Sequence, residues 1–107
     1  MNLPIPVQAF FDADKQNNGE TPIRNFLSDA TVMDEGRTHS GQADIEKWWR
    51  VSKEKYHHVA EPLEYREEDG LSKVRARVTG EFLGSPAILT FAFRLKDDRI
   101  RSLEICA

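Results

Sequence analysis

Apolar positions recur at helical spacing in the first half of the chain and at strand spacing in the second. Val7, Phe10, Phe11 and Asp14 mark one face of a first helix, with Pro6 in its opening turn, where the missing N–H is not needed. Asn17-Asn18-Gly19 is a stop signal, Gly19 serving as the left-handed residue. Thr21 and Pro22 read as the N-cap and first residue of a second, short helix with Ile23, Phe26 and Leu27 on its apolar side, and Ser28-Asp29 ends it. A β-prone run over 30–33 follows and finishes on Asp34. Glu35-Gly36-Arg37-Thr38 reads as a turn, because Gly36 adopts positive φ without a Cβ clash. Ser40-Gly41 opens a third helix over 42–56, with Asp44 in its first turn and Ile45, Trp48, Trp49 and Tyr56 along one stripe.

From residue 59 the period falls to two. A strand is predicted over 58–68, and Pro62 within it suits an edge or a bulge. Asp69-Gly70 is a hairpin turn signal. Over 73–83, Val74, Ala76, Val78, Gly80 and Phe82 face one way and Lys73, Arg75, Arg77, Thr79 and Glu81 the other. Gly84-Ser85-Pro86 turns the chain. Ala87, Leu89, Phe91, Phe93 and Leu95 then share a face opposite Ile88, Thr90, Ala92 and Arg94. Lys96-Asp97-Asp98 makes the last turn, and 99–106 closes the sheet. The order helix, helix, strand, helix, four strands is that of an α+β domain whose helices cover one face of a curved antiparallel or mixed sheet.

The 107 residues suit a single domain. Hydrophobic residues at 39% and charged residues at 31% are an ordinary globular balance. Net charge is −3 with no evident basic face, which argues against nucleic acid as a partner. The longest apolar run, 87–93, is broken by Thr90 and is too short to span a bilayer, so no membrane partner is expected. No secretory signal pattern opens the sequence, and a lone cysteine, Cys106, fits a reducing cytoplasm. His39, His57 and His58 have no metal-ligand spacing with a carboxylate, so neither metal nor cofactor is expected.

The phrase 26–34, Phe-Leu-Ser-Asp-Ala-Thr-Val-Met-Asp, followed by His39-Ser40-Gly41-Gln42-Ala43-Asp44-Ile45-Glu46-Lys47-Trp48-Trp49, resembles the nuclear transport factor 2-like superfamily, and within it the SnoaL-like group. The resemblance covers essentially the whole chain. It implies a cone of bent sheet closed by three helices, with a pocket between helices and concave face. It leaves the activity open, since this fold hosts isomerases, dehydratases, epoxide hydrolases, cyclases and non-catalytic binders. Ketosteroid-isomerase-like members carry a general-base aspartate at the position of Asp34. Their oxyanion tyrosine corresponds to Phe10, and their second oxyanion donor falls at or near Phe91. The base position is therefore filled and the electrophilic half is apolar, which disfavours ketosteroid isomerase chemistry, because an enolate must be stabilised as it forms.

Asp34 has two readings. Walled by Trp48, Trp49 and Phe11, its carboxyl would be desolvated and usable as an acid or base near neutral pH. Alternatively it caps the turn at Glu35-Gly36. His39 either pairs with Asp34 as an auxiliary proton carrier or is a loop residue in solvent. Trp48 and Trp49 project about 100° apart, so one is expected in the core and the other at the pocket mouth. Phe10, Phe11, Trp48, Trp49, Tyr56 and Phe91 together describe an apolar pocket for a small apolar or aromatic molecule. The outer sheet face, with Arg75, Arg77 and Arg94 beside a modest strip of Ile88, Thr90 and Ala92, suits a homodimer. A cofactor-free acid/base enzyme using Asp34 and a non-catalytic ligand-binding or dimerisation module both fit these residues.

Overall fold

A computed structural model describes residues 1–16 and 21–107. The stop signal at Asn17-Asn18-Gly19 lies outside the described residues. Helix α1 spans Ile5–Gln16 and buries Val7, Phe10, Phe11 and Asp14, the positions set out by the helical spacing. Strand β1 spans Phe26–Asp34 and β2 Arg37–Ser40, and helix α2 runs over Gln42–Tyr56. Four strands follow: β3 (Val59–Glu68), β4 (Leu71–Thr79), β5 (Ala87–Lys96) and β6 (Arg99–Cys106). They form one six-stranded sheet in the order β2-β1-β6-β5-β4-β3, antiparallel throughout except where β1 runs parallel to β6.

Three local expectations change, the first being that β4 ends at Thr79, so Gly80 and Phe82 fall outside the strand predicted over 73–83. The second helix contracts to a single 3-10 turn over Ile23–Asn25. Phe26 and Leu27 instead open β1, where Phe26 pairs with Ile100 and is wholly buried. A helix of one turn gains one hydrogen bond for several fixed dihedrals, so burial of Phe26 in the sheet wins over local propensity. The turn after Asp34 is also tighter than expected. Glu35 and Gly36, at φ 53° and 75°, suffice to pair Asp34 with Arg37, which leaves Arg37 to Ser40 free to form β2.

Register shifts bend the sheet in three places: in β1 between Phe26 and Thr31, in β3 between Pro62 and Glu64, and between β5 and β6 at Arg94 and Leu95. Pro62 thus sits on an edge strand at a bulge, where its absent N–H breaks no ladder. Helix α1 lies against β3 and β6, and α2 against β1 and β2, so the helices cover the inner face. The core between them is aromatic: Phe10 has the rings of Phe11, Phe26, Trp49, Phe91 and Phe93 within 5.3 to 6.3 Å. No helix among the described residues is long and apolar enough to cross a membrane.

Candidate functional site

Between α1, α2 and the inner sheet face lies a cavity of about 660 Å³. Its position follows from strand alternation. Ala30 and Val32 point inward with no exposure, and Asp34, two residues on, points the same way at the end of β1. In the second turn of α2, Trp48 reaches back and donates its indole N–H to Asp34 Oδ2 at 3.0 Å. Burial raises the Asp34 carboxyl above its ordinary value of 3.8, against the opposing bond from Trp48, and the neighbouring Glu35 charge raises it further. His39 and a backbone bond at Glu35 act in the lowering direction.

Of the residues singled out from the sequence, Asp34, Phe10, Trp48, Trp49, Tyr56 and Phe91 all line this cavity. Both tryptophans do so, by different edges: Trp48 bonds Asp34, while Trp49 packs edge-on to Phe10, with the two indole planes 65° apart. Tyr56 donates its hydroxyl to Glu35 Oε1 at 3.0 Å, tying the end of α2 to the turn after β1. Phe11 does not line the cavity. The 100° step from Phe10 turns its ring into the core against Phe91 and Phe93. His39 does not line it either. It is held in β2 opposite Val32, half-buried, with its ring 6.1 Å from that of Trp48, and it reaches Asp34 only through its field.

Among the lining residues not identified from the sequence as site residues, Asp14 and His58 carry buried polar atoms. Asp14 is 3% exposed and forms an ion pair with Lys53 at 2.7 Å while accepting the Ala60 N–H at 2.6 Å. His58 also lines the cavity, and its Nδ1 is buried without a hydrogen-bond partner. An orphaned buried nitrogen costs about 1–3 kcal/mol. The sequence signal was parity: His58 lies two residues before inward-facing Ala60, on the face that β3 turns toward the helices. Burial and the Lys53 cation push the His58 imidazole below its ordinary value of 6.5, against the raising effect of Asp14, so it is neutral at pH 7. Among the described residues no cluster of three His, Cys, Asp or Glu side chains is placed to hold a metal ion.

The arrangement is thus a largely apolar hollow with a partly desolvated carboxyl in its wall.

The sequence matches no protein-family model and no curated protein. Solved structures do match. Protein SMa1630 of Sinorhizobium meliloti, described as a candidate polyketide cyclase, is 45% identical and superposes with a TM-score of 0.91 over 96% of this chain and 94% of that one. A protein of ketosteroid isomerase-like fold from Catenulispora acidiphila, solved with trimethylamine, is 18% identical with a TM-score of 0.84 over 99% and 87% of the two chains. A candidate SnoaL-like polyketide cyclase from Jannaschia sp. CCS1 is 17% identical with a TM-score of 0.78 over 94% and 81%. The last two speak for the fold alone. Together with the identity to the first, which runs through nearly the whole length of both proteins, they place this chain in the SnoaL-like group of the nuclear transport factor 2-like superfamily.

Proposed function

We propose that the cavity binds a small, largely apolar molecule and that Asp34 transfers a proton to or from it. The reaction class is cofactor-free acid/base chemistry such as isomerisation, dehydration, cyclisation or hydration. The observation that carries this reading is the Asp34 carboxyl itself. It lines a largely apolar cavity, its pKa is raised by burial, and the Trp48 indole N–H and a backbone bond at Glu35 orient it. The description of the 45% identical relative as a candidate polyketide cyclase supports the same class.

Anthrone, a three-ring aromatic ketone with a methylene opposite its carbonyl, is a probe of suitable shape. The protein is expected to speed exchange of its methylene hydrogens in deuterium oxide under anaerobic conditions. Asp34→Asn should lower that exchange by roughly 10²-fold or more, the usual worth of a positioned acid or base, while anthrone still binds. Undiminished exchange in a folded Asp34→Asn variant would remove Asp34 from the chemistry.

A non-catalytic binding module is the second reading. It is favoured by Phe10 and Phe91, which present phenyl rings at the positions where the family resemblance puts oxyanion donors. We also propose that the outer sheet face joins two copies of the chain. On β4, Arg77 and Lys73 are bonded to Glu61 and Glu68 of β3, which leaves the Ile88, Thr90 and Ala92 strip of β5 as the less charged part of that face.

A further inference from the structure

Asp14, Asp34 and Glu35 all bring carboxyl groups to the cavity wall, and they differ in what answers their charge. Asp14 is held by Lys53 at 2.7 Å, whereas neither Asp34 nor Glu35 forms an ion pair among the described residues. The donors beside the latter two are already committed. Trp48 gives its indole N–H to Asp34 Oδ2 and Tyr56 its hydroxyl to Glu35 Oε1, both at 3.0 Å. Each of these carboxyls keeps a second oxygen without a side-chain donor among the described residues. The charges that act on Asp34 are those of Glu35 and His39, so no lysine or arginine balances it. Lys55, also in the wall, stands 5.0 Å from the centre of the Tyr56 ring and pairs with neither carboxylate.

The rest of the wall suits a positive charge as well. Trp48, Trp49 and Tyr56 line it, and the face of an aromatic ring is the negative side of its quadrupole, which attracts an ammonium group. The chain already uses this attraction, with Lys53 Nζ 5.2 Å from the centre of the Trp49 ring. A carboxylate withdrawn from water without a counter-ion is costly, and a ligand cation beside it removes that cost. We propose that the cavity takes an apolar molecule carrying one protonated amine, whose ammonium group is met by the Asp34 and Glu35 carboxylates. The apolar part then lies against Phe10, Leu89 and Phe91. An ammonium brings N–H donors and no acceptor, which matches the spare carboxylate oxygens. The inference rests on the reading of the cavity as a binding site given above, and not on proton transfer by Asp34.

The test compares 3-phenylpropylamine, protonated at pH 7, with 3-phenylpropan-1-ol, which has the same frame and a neutral hydroxyl. Binding is measured by titration calorimetry. A merely apolar cavity favours the alcohol, because an ammonium gives up more hydration on entry. Wild-type protein should instead bind the amine at least about tenfold more tightly. Asp34→Asn keeps an oxygen for the Trp48 N–H and removes the charge, and Glu35→Gln does the same beside Tyr56. Each should weaken the amine by about fivefold or more and leave the alcohol within about threefold. The Trp48 indole N–H resonance should move when the amine binds. An alcohol bound as tightly as the amine, no amine binding up to about 10 mM, a preference unchanged by either substitution, or an unmoved indole resonance would each overturn the proposal. If Asp34→Asn fails to fold, Glu35→Gln and the wild-type ratio decide. Anthrone exchange keeps the two readings apart. Exchange by wild type together with a preference for the alcohol removes the ammonium site and leaves proton transfer standing, whereas a preference for the amine without exchange does the reverse.

Discussion

Lys53 Nζ lies 2.7 Å from Asp14 Oδ1, and it also donates to the carbonyls of Asp14 at 3.0 Å and His58 at 2.6 Å. One ammonium thereby joins the end of α1, the body of α2 and the lead-in to β3, and it sits 5.2 Å from the centre of the Trp49 ring. The other Asp14 oxygen accepts the Ala60 N–H, so neither side chain is left unpaired. A buried pair of this kind adds little net stability against an apolar replacement, but loss of one member strands the other.

Lys53→Met should therefore destabilise the fold by about 3–5 kcal/mol, with the Asp14 carboxylate left buried and uncompensated. Urea unfolding at pH 7 measures it. A loss below about 1 kcal/mol would show that the pair behaves like an exposed one. Acidification should recover part of the loss in the variant, because protonation removes the stranded charge.

Replacement of Trp48 by Phe should keep the ring and remove the N–H that opposes the burial of Asp34. The Asp34 pKa is then expected to rise further above 3.8. With Asp34 as the base, the acid limb of the exchange rate against pH should move to higher pH in Trp48→Phe. A limb that stays in place would separate the indole bond from the titration of Asp34. The same shift bears on stability. A carboxyl whose pKa is higher in the fold than in the unfolded chain favours the fold when protonated. That contribution is fully present below the unfolded value and is lost as pH rises through the folded one. Unfolding free energies of wild type and Asp34→Asn, measured from pH 3 to 8, should diverge in favour of the variant as pH rises through that window.

Where apolar period and turn chemistry agreed, the architecture was legible from residue types. Val74, Ala76 and Val78 are buried on one face of β4, Asp97 and Asp98 turn with positive φ, and α2 has the span its stripe and Gly41 imply. The signals failed where tertiary burial overrode local preference, as at Phe26, whose helical spacing with Ile23 yielded to pairing with Ile100. Within the site, strand parity already placed Asp34 on the inner face. The Trp48 bond was not legible, because it depends on how α2 crosses β1. Asp14 on an apolar helix face was a buried carboxylate in need of a partner, and nothing along the chain named Lys53, 39 residues away.

The outer face offers the last test. Arg77 lies 3.1 Å from Glu61, Arg75 3.6 Å from Glu64 and Lys73 2.7 Å from Glu68, so the basic side chains of β4 are answered within their own sheet. Ala92 lies between Lys73 on β4 and Glu104 on β6, and Ile88 is 41% exposed beyond it. A twofold axis over this strip would bring small and apolar side chains together with few charges to desolvate. Sedimentation velocity should accordingly give the mass of a dimer at micromolar concentration. Ala92→Glu places a second carboxylate beside Glu104 and, across the axis, near its own copy; like charges so placed cost several kcal/mol, so dissociation should strengthen by roughly 10²-fold or more with the fold intact. A wild-type monomer at 100 µM, or a variant dimer as tight as wild type, would move the interface off this face and leave the strip as plain surface.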